Sequence, residues 1–151
     1  MLSFVKAGAS DSQLIAPLFD AYRVFYGQAS DPDAAATFIE GRLKKGQSVL
    51  FYASLNGQAV GFVHLYPTFS SVSMQHFYIL NDLFVAPEFR GQKIGEGLLN
   101  KAKAFCETDG GKGLALETAV NNPAQKLYER LDWKKDTEFF HYFWSNSEAN
   151  S

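Results

Sequence analysis

A single cysteine, Cys106, excludes any intrachain disulfide from this 151-residue chain. It follows Phe105 on a helical pattern, which predicts a small buried hydrophobe. The histidines, His64, His76 and His141, lie far apart, so no metal-ligand spacing exists and no metal is expected. No apolar run is long enough to span a membrane, and the N-terminus lacks the apolar core of a signal peptide. The expectation is a soluble protein of a reducing compartment, the cytoplasm. Neither sign of charge prevails: 14 Lys and Arg stand against 16 Asp and Glu, a net charge of −2. A general nucleic-acid binder would carry a basic stripe, so that class is excluded. Lys101 and Lys103 read as a solvated helix face. Aromatic residues, by contrast, are plentiful, with 14 Phe and 7 Tyr. They imply either a β-rich core or an aromatic substrate channel.

The length fits one domain, over residues 1–145, with 146–151 as a disordered tail. "SFVKAG" reads as a short strand. Ser10 and Gln13 form a capping-box pattern opening a helix from Asp11 to about Phe25, with Leu14, Ile15, Leu18, Phe19 and Tyr22 on one face. Asp31-Pro32 starts a second helix that Gly46 ends. "SVLFYASL", the Asn56-Gly57 turn and "QAVGFVHLYPTF" read as a hairpin, with Pro67 limiting the pairing of the return strand. "VSMQHFYILNDLFV" is a third strand. A helix over Ile94–Glu107 faces the core with Ile94, Leu98, Leu99, Ala102 and Phe105. "KGLALETAV" reads as a buried strand, Asn122-Pro123 as the cap of a short helix through Leu131, and "TEFFHYFW" as a final strand. The order β-α-α-β-β-β-α-β-α-β predicts an α/β (α+β) fold, a mixed, mostly antiparallel sheet with helices on both faces.

The hand-over from strand to helix at "NDLFVAPEFRGQKIGEGLLNKAKAF" is a natural anion site. A helix N-terminus offers unpaired N–H groups and the positive end of its dipole, and glycine lets a phosphate come close. The sequence fits neither G-x-x-x-x-G-K-[ST] nor G-x-G-x-x-G. Arg90-Gly91-Gln92-Lys93-Ile94-Gly95 does match Q/R-x-x-G-x-G/A, with Lys93 in place of the first paired glycine. "NNPAQKLYERLDW" matches N-x-x-A-x-x-L-Y-x-x-x-G-F at Asn121, Ala124, Leu127 and Tyr128, with Asp132-Trp133 standing where Gly-Phe is usual. With these two motifs the chain resembles the GNAT family, the GCN5-related N-acetyltransferases. "YILNDLFV" and the aromatic-rich first helix are similar to its diamine and thialysine acetyltransferase branch.

The resemblance implies acetyl-CoA as donor and direct transfer to a primary amine of a small molecule. It implies a pyrophosphate held by the backbone from Gly91 to Glu96 (Gly91, Gln92, Lys93, Ile94, Gly95 and Glu96) beside Arg90. It places pantetheine along Leu83, Phe84 and Val85. Asn121, Pro123, Ala124 and Tyr128 complete the expected cofactor set. Lys93 must accept a φ/ψ that glycine tolerates freely, and its backbone donor still works if φ stays negative; Glu96 is expected to point to solvent.

Acetyl transfer needs a deprotonated amine, a donor for the developing oxyanion and a proton for the leaving thiolate. By the resemblance, a backbone N–H near Val85 serves the oxyanion and Tyr128 is the acid; its helical spacing also suits a packed tyrosine. Asn81 stands where the branch carries a carboxylate, and an amide takes no proton. Asp82 and Glu117 remain as base or amine-binding groups, and an ion pair or a strand-end hydrogen bond explains either equally well. His76 reads as packing. Tyr22, Phe25 and Tyr26 are candidates to wall the acceptor site. The rival readings are a silent acyl-CoA-binding module and a protein-lysine acetyltransferase. The last strand would be apolar on both faces, which, with the branch resemblance, leads to the expectation of a homodimer.

Overall fold

The computed structural model describes residues 1–149, and Asn150 and Ser151 of the expected tail lie outside the described residues. The chain forms two compact units, Met1–Glu117 and Thr118–Ser151.

The first unit holds a five-stranded sheet in the order β1-β2-β3-β4-β5. Its strands are β1 (Leu2–Lys6), β2 (Val49–Leu55), β3 (Gln58–Ser70), β4 (Gln75–Val85) and β5 (Leu114–Ala115). All neighbours are antiparallel except β4 and β5, which run parallel. Three helices pack on it: α1 (Ser12–Phe25), α2 (Pro32–Lys44) and α3 (Ile94–Asp109). Ile15, Leu18 and Phe19 of α1 and Ala35 and Ile39 of α2 share a core with Leu50, Tyr52, Phe62 and Phe84. The opposite face bears Phe51 and Tyr78, whose rings meet Phe105 of α3 at 5.8 and 5.4 Å. Helices therefore cover both faces, as expected.

Local chemistry explains most boundaries. Asn56 and Gly57 have φ of 52° and 80°, the paired positive values of a two-residue hairpin turn. Asp31 caps α2 by accepting from Ala34 N at 3.2 Å, and Pro32 occupies the first turn, where its missing N–H costs nothing. Before α1, Asp11 accepts from Gly8 N at 2.8 Å and closes a short 3₁₀ turn over Ala9–Asp11. The capping pattern is thus carried by Gly8 and Asp11, not Ser10 and Gln13. Pro67 does not interrupt β3: it pairs opposite Tyr78, beyond Leu65, where β3 has only β4 as a neighbour and is an edge. The third strand starts at Gln75, after a turn in which Met74 has φ of 53°. Phe105 is half-buried, and Cys106 takes the core position at the end of α3.

"KGLALETAV" contributes only the two residues of β5 to the sheet. In the second unit α4 covers Gln125–Arg130, after Asn122 Oδ1 accepts from Ala124 N at 2.9 Å. The expected final strand is absent among the described residues. Residues 137–144 have no regular structure, and Phe139, Phe140, Tyr142, Phe143 and Trp144 are 78–89% exposed. A strand exists only through hydrogen bonds to a neighbouring strand, so an apolar run alone does not make one. Within 146–149, Ala149 N donates to Asn146 O at 3.1 Å and closes a turn. No helix among the described residues is long and apolar enough to cross a membrane.

Candidate functional site

The β4-to-α3 connection has the backbone of an anion cradle. Gly91 has φ of 81° and Lys93 of 63°. Lys93 is thus left-handed rather than negative in φ, because it is the residue that swings the chain into α3 as its N-cap. The first intrahelical bond there runs from Gly97 N to Lys93 O at 3.1 Å, so the N–H groups of Ile94 and Gly95 have no acceptor in the preceding turn among the described residues. Nothing lies within 4 Å of a Cβ built on Gly91, and on Gly95 only Val85 Cγ2, at 3.9 Å. The open ground in front of these N–H groups admits an anion to the backbone. Glu96 is half-buried with Oε1 shielded from solvent, rather than turned wholly outward: its place in the first turn keeps it against the protein.

Gly97 fixes how α3 sits. A Cβ there would come within 2.2 Å of Phe4 Cζ, so the helix start rests directly on a β1 ring. The sequence motif did not single out this glycine.

Beside the cradle, the second edge of β4 pairs with β5 only at Tyr78 and Ile79, so Leu83, Phe84 and Val85 have no strand partner on that side among the described residues. Arg90 reaches back over this edge. Its Nε donates to Val85 O at 2.9 Å, and its guanidinium lies 5.4 Å from the Phe84 ring centre and 5.8 Å from that of Phe25.

A bulge in β4 then sets which face Asp82 takes. His64 pairs with Asp82 and Leu65 with Leu80, leaving Asn81 as the extra residue. Before the bulge, Tyr78 faces α3; after it, Asp82 and Phe84 face α1. Without the extra residue, alternation would keep Asp82 on the face of Tyr78 and Leu80. Three side chains converge on the Asp82 carboxylate. The Tyr22 hydroxyl donates to Oδ1 at 2.7 Å, Asn81 Nδ2 to Oδ1 at 3.0 Å, and His64 Nδ1 lies 3.0 Å from Oδ2. A carboxylate accepts, so the His64 tautomer that satisfies this contact carries its proton on Nδ1. His64 is fully buried, and its Nε2 has no hydrogen-bond partner among the described residues.

Aromatic rings enclose the carboxylate. Tyr22 packs on Phe62 and Phe84 at 5.5 and 5.6 Å, and Tyr66 lies 4.7 Å from His64. Toward the surface, Tyr26 follows Tyr22 at 5.1 Å and Phe25 follows Phe84 at 6.1 Å; these two are 64% and 62% exposed. Burial, and then the charge of Asp82, holds the Tyr22 phenol far above its usual range and pushes Tyr66 up to about 12. Both stay protonated donors at neutral pH.

Of the candidates Tyr22, Tyr26, Asn81, Asp82 and Glu117, the first four lie together. His64 was missed as a partner of Asp82, although a histidine amid the apolar "GFVHLY" was a signal. Glu117 is exposed beyond the end of β5, so it is not a charge inside a buried strand. His76 does more than pack: its Nε2 lies 2.8 Å from Asp109, which also accepts from the Tyr78 hydroxyl. Among the described residues no group of three side chains could hold a metal ion.

In the second unit, Tyr128 is half-buried with its ring 5.9 Å from Trp133, whose N donates to Tyr128 O at 2.9 Å. Asp132, in place of the motif glycine, has φ of 68°. Asn121 and Pro123 are exposed and Ala124 is half-buried at the start of α4.

The sequence profile of the acetyltransferase (GNAT) family matches residues 15–133. The chain is 49% identical over 138 residues to the uncharacterized N-acetyltransferase YhfO of Bacillus subtilis strain 168, covering 91% of this chain and 93% of that one. It is 32% identical to a probable acetyltransferase of Haemophilus influenzae, covering 85% and 97%. The crystal structure of a probable acetyltransferase, 37% identical, superposes with a TM-score of 0.89 over 95% of this chain and 97% of the other. The chain belongs to the acetyltransferase (GNAT) family and is an acetyltransferase of that type.

Proposed function

We propose that this enzyme transfers the acetyl group of acetyl-CoA to a primary amine of a small cationic molecule, of the diamine or polyamine kind. One observation carries the reading: a buried carboxylate, Asp82, is fixed by three donors inside an aromatic wall, on the strand that leads to the anion cradle. An ammonium group is drawn to such a fixed anion, and the faces of Tyr22 and Tyr26 favour a cation beside them.

The cradle suits the pyrophosphate of acetyl-CoA. The N–H groups from Gly91 to Glu96 would hold it, and the unpartnered edge at Leu83, Phe84 and Val85 would take the pantetheine arm. Acetyl-CoA supplies an activated acyl thioester. For its part, a backbone N–H near Val85 donates to the acyl oxygen as charge develops there. Asp82 orients the amine, which gives up one proton to water before its nitrogen attacks the thioester carbonyl and a second as the C–N bond forms and the C–S bond breaks. Tyr22 remains protonated and holds Asp82 in place. The motif assigns the proton for the leaving thiolate to Tyr128.

The test is a two-part measurement. Acetyl-CoA raises the melting temperature, because a ligand bound only by the folded state stabilises it. CoA release is then followed with a panel of diamines, polyamines, amino acids, aminoglycosides and a lysine-containing peptide. Turnover fastest on linear diamines or polyamines supports the reading. A thermal shift with no turnover on any amine favours a silent acyl-CoA-binding module, and preference for the peptide favours a protein-lysine acetyltransferase.

A further inference from the structure

Packing does not explain a histidine at position 64. The ring is fully buried on β3, and its Nε2 has no hydrogen-bond partner among the described residues. A buried nitrogen left unpaired costs stability that an apolar side chain of similar size would not. The other nitrogen supplies the reason, for Nδ1 lies 3.0 Å from Oδ2 of Asp82. Strand register sets this contact: His64 and Asp82 stand opposite one another on β3 and β4, at the bulge that turns Asp82 to this face. Neighbouring rings set the angle of the imidazole. Phe19 meets it edge-on, with centres 6.5 Å apart and planes at 86°, and Tyr66 lies 4.7 Å away. All of these groups belong to the first unit.

The donors divide unequally between the two carboxylate oxygens of Asp82. Oδ1 accepts from both the Tyr22 hydroxyl and Asn81 Nδ2, at 2.7 and 3.0 Å. Oδ2 has His64 as its donor among the described residues. A carboxylate oxygen offers about two lone-pair sites. Oδ1 is therefore filled, and Oδ2 keeps one open acceptor position beside the imidazole.

We propose that His64 is a positioning residue of the acceptor site. Through Nδ1 it holds Oδ2 of Asp82 so that the remaining lone pair meets an N–H of the acceptor amine, while Tyr22 and Asn81 lock the other oxygen. The docking of the amine rests on the proposed function; the hydrogen bond from His64 does not. His64 touches neither amine nor thioester, so its effect falls on the affinity for the amine and not on the transfer step.

The first measurement needs no turnover. Heteronuclear NMR of the full chain, labelled in the imidazole nitrogens, reads which ring nitrogen carries the proton, and His64 is assigned by the signal that His64→Asn removes. A proton on Nδ1 is expected. With CoA present, its resonance should move as putrescine or spermidine, a linear diamine and a linear polyamine, saturates the protein, because both hydrogen bonds meet on Oδ2. A proton on Nε2 alone, or an unmoved resonance at saturation, overturns the proposal.

The second measurement is steady-state kinetics with the same two amines. Loss of the donor in His64→Leu should raise KM for the amine about 10-fold, with kcat within about twofold of wild type. His64→Asn should keep KM near wild type, because its amide N–H stands where Nδ1 does. His64→Gln, whose amide reaches toward Nε2, should raise KM as Leu does. A histidine that only packs would lower Tm in these variants without moving KM. A fall in kcat at constant KM would place His64 in the chemistry. Either result overturns the proposal, and so does an equal KM for the Asn and Gln variants, which decides the matter even if His64→Leu does not fold. Wild-type protein that acetylates neither amine defeats the proposed function and the docking with it, and the spectrum still decides the bond from His64.

Discussion

Lys93 and Asp132 stand where the family motifs carry glycine, and both are left-handed, with φ of 63° and 68°. Glycine adopts that region freely, whereas a residue with a Cβ meets the following carbonyl and pays about 1–2 kcal/mol. The motif glycines thus have a backbone reason, and this chain meets the same geometry with strained residues. Lys93→Gly is expected to stabilise the protein by about 1 kcal/mol, raising Tm by roughly 2–4 °C in thermal denaturation. A fall in Tm would mean that the Lys93 side chain contributes more than its backbone costs. Cys106 needs no such account: burial pushes its thiol up from the usual value, as suits an inert core residue.

At the scale of elements, the sequence was most legible where structure is local. The cap Asp31, Pro32 and the turn Asn56-Gly57 act within a few residues, and each behaves as read. The bulge at Asn81 was not legible, because it is a relation between two strands: the sequence "ILNDLF" alternates plausibly without it. The convergence of Tyr22, His64 and Asn81 on Asp82 depends on that bulge and on the seating of α1, so Tyr22, Asn81 and Asp82 could be nominated in advance but not their contacts, and His64 not at all. The strand at residues 137–144 failed for a related reason, since a strand pattern names no partner.

The seating of α3 has its own test. Gly97→Ala drives a methyl into the Phe4 ring and is expected to destabilise by about 1–3 kcal/mol, the usual scale of overpacking. Adding Phe4→Leu should recover part of the loss; no loss in the single variant would show that α3 is free to shift. Charged groups also tie elements together. Asp20 of α1 accepts from Ser30 Oγ at 2.6 Å and from Asp31 N at 2.7 Å, just before α2. Asp109 at the end of α3 accepts from Tyr78 and His76 of β4. These hydrogen bonds hold both carboxyls below their ordinary value of 3.8, with Ser30 the largest influence on Asp20 and Tyr78 on Asp109. A lowered folded value stabilises above the unfolded one and is lost as pH falls through the folded one. Stability should therefore hold from neutral pH down to about 4 and decline below it. Asp20→Asn should flatten that acid limb, as read by Tm against pH; an unchanged limb would remove Asp20 from the account.

The whole molecule joins segments distant in sequence into one chemical arrangement. α1 supplies Tyr22 and its neighbours, β3 supplies His64, β4 supplies Asp82 and an open edge, and the turn into α3 supplies the cradle. The cradle was readable from a contiguous motif, while the cluster around Asp82 emerges only from the fold. The claim at the centre is that Asp82 anchors the ammonium of the acceptor, and steady-state kinetics of Asp82→Asn with a linear diamine test it most directly. Losing a hydrogen bond to a charged group costs about 1.5–3 kcal/mol, so KM for the amine should rise about 10- to 100-fold. The thermal shift given by acetyl-CoA should stay that of the wild type. An unchanged KM for the amine, in a variant that still folds and still binds acetyl-CoA, would contradict the account.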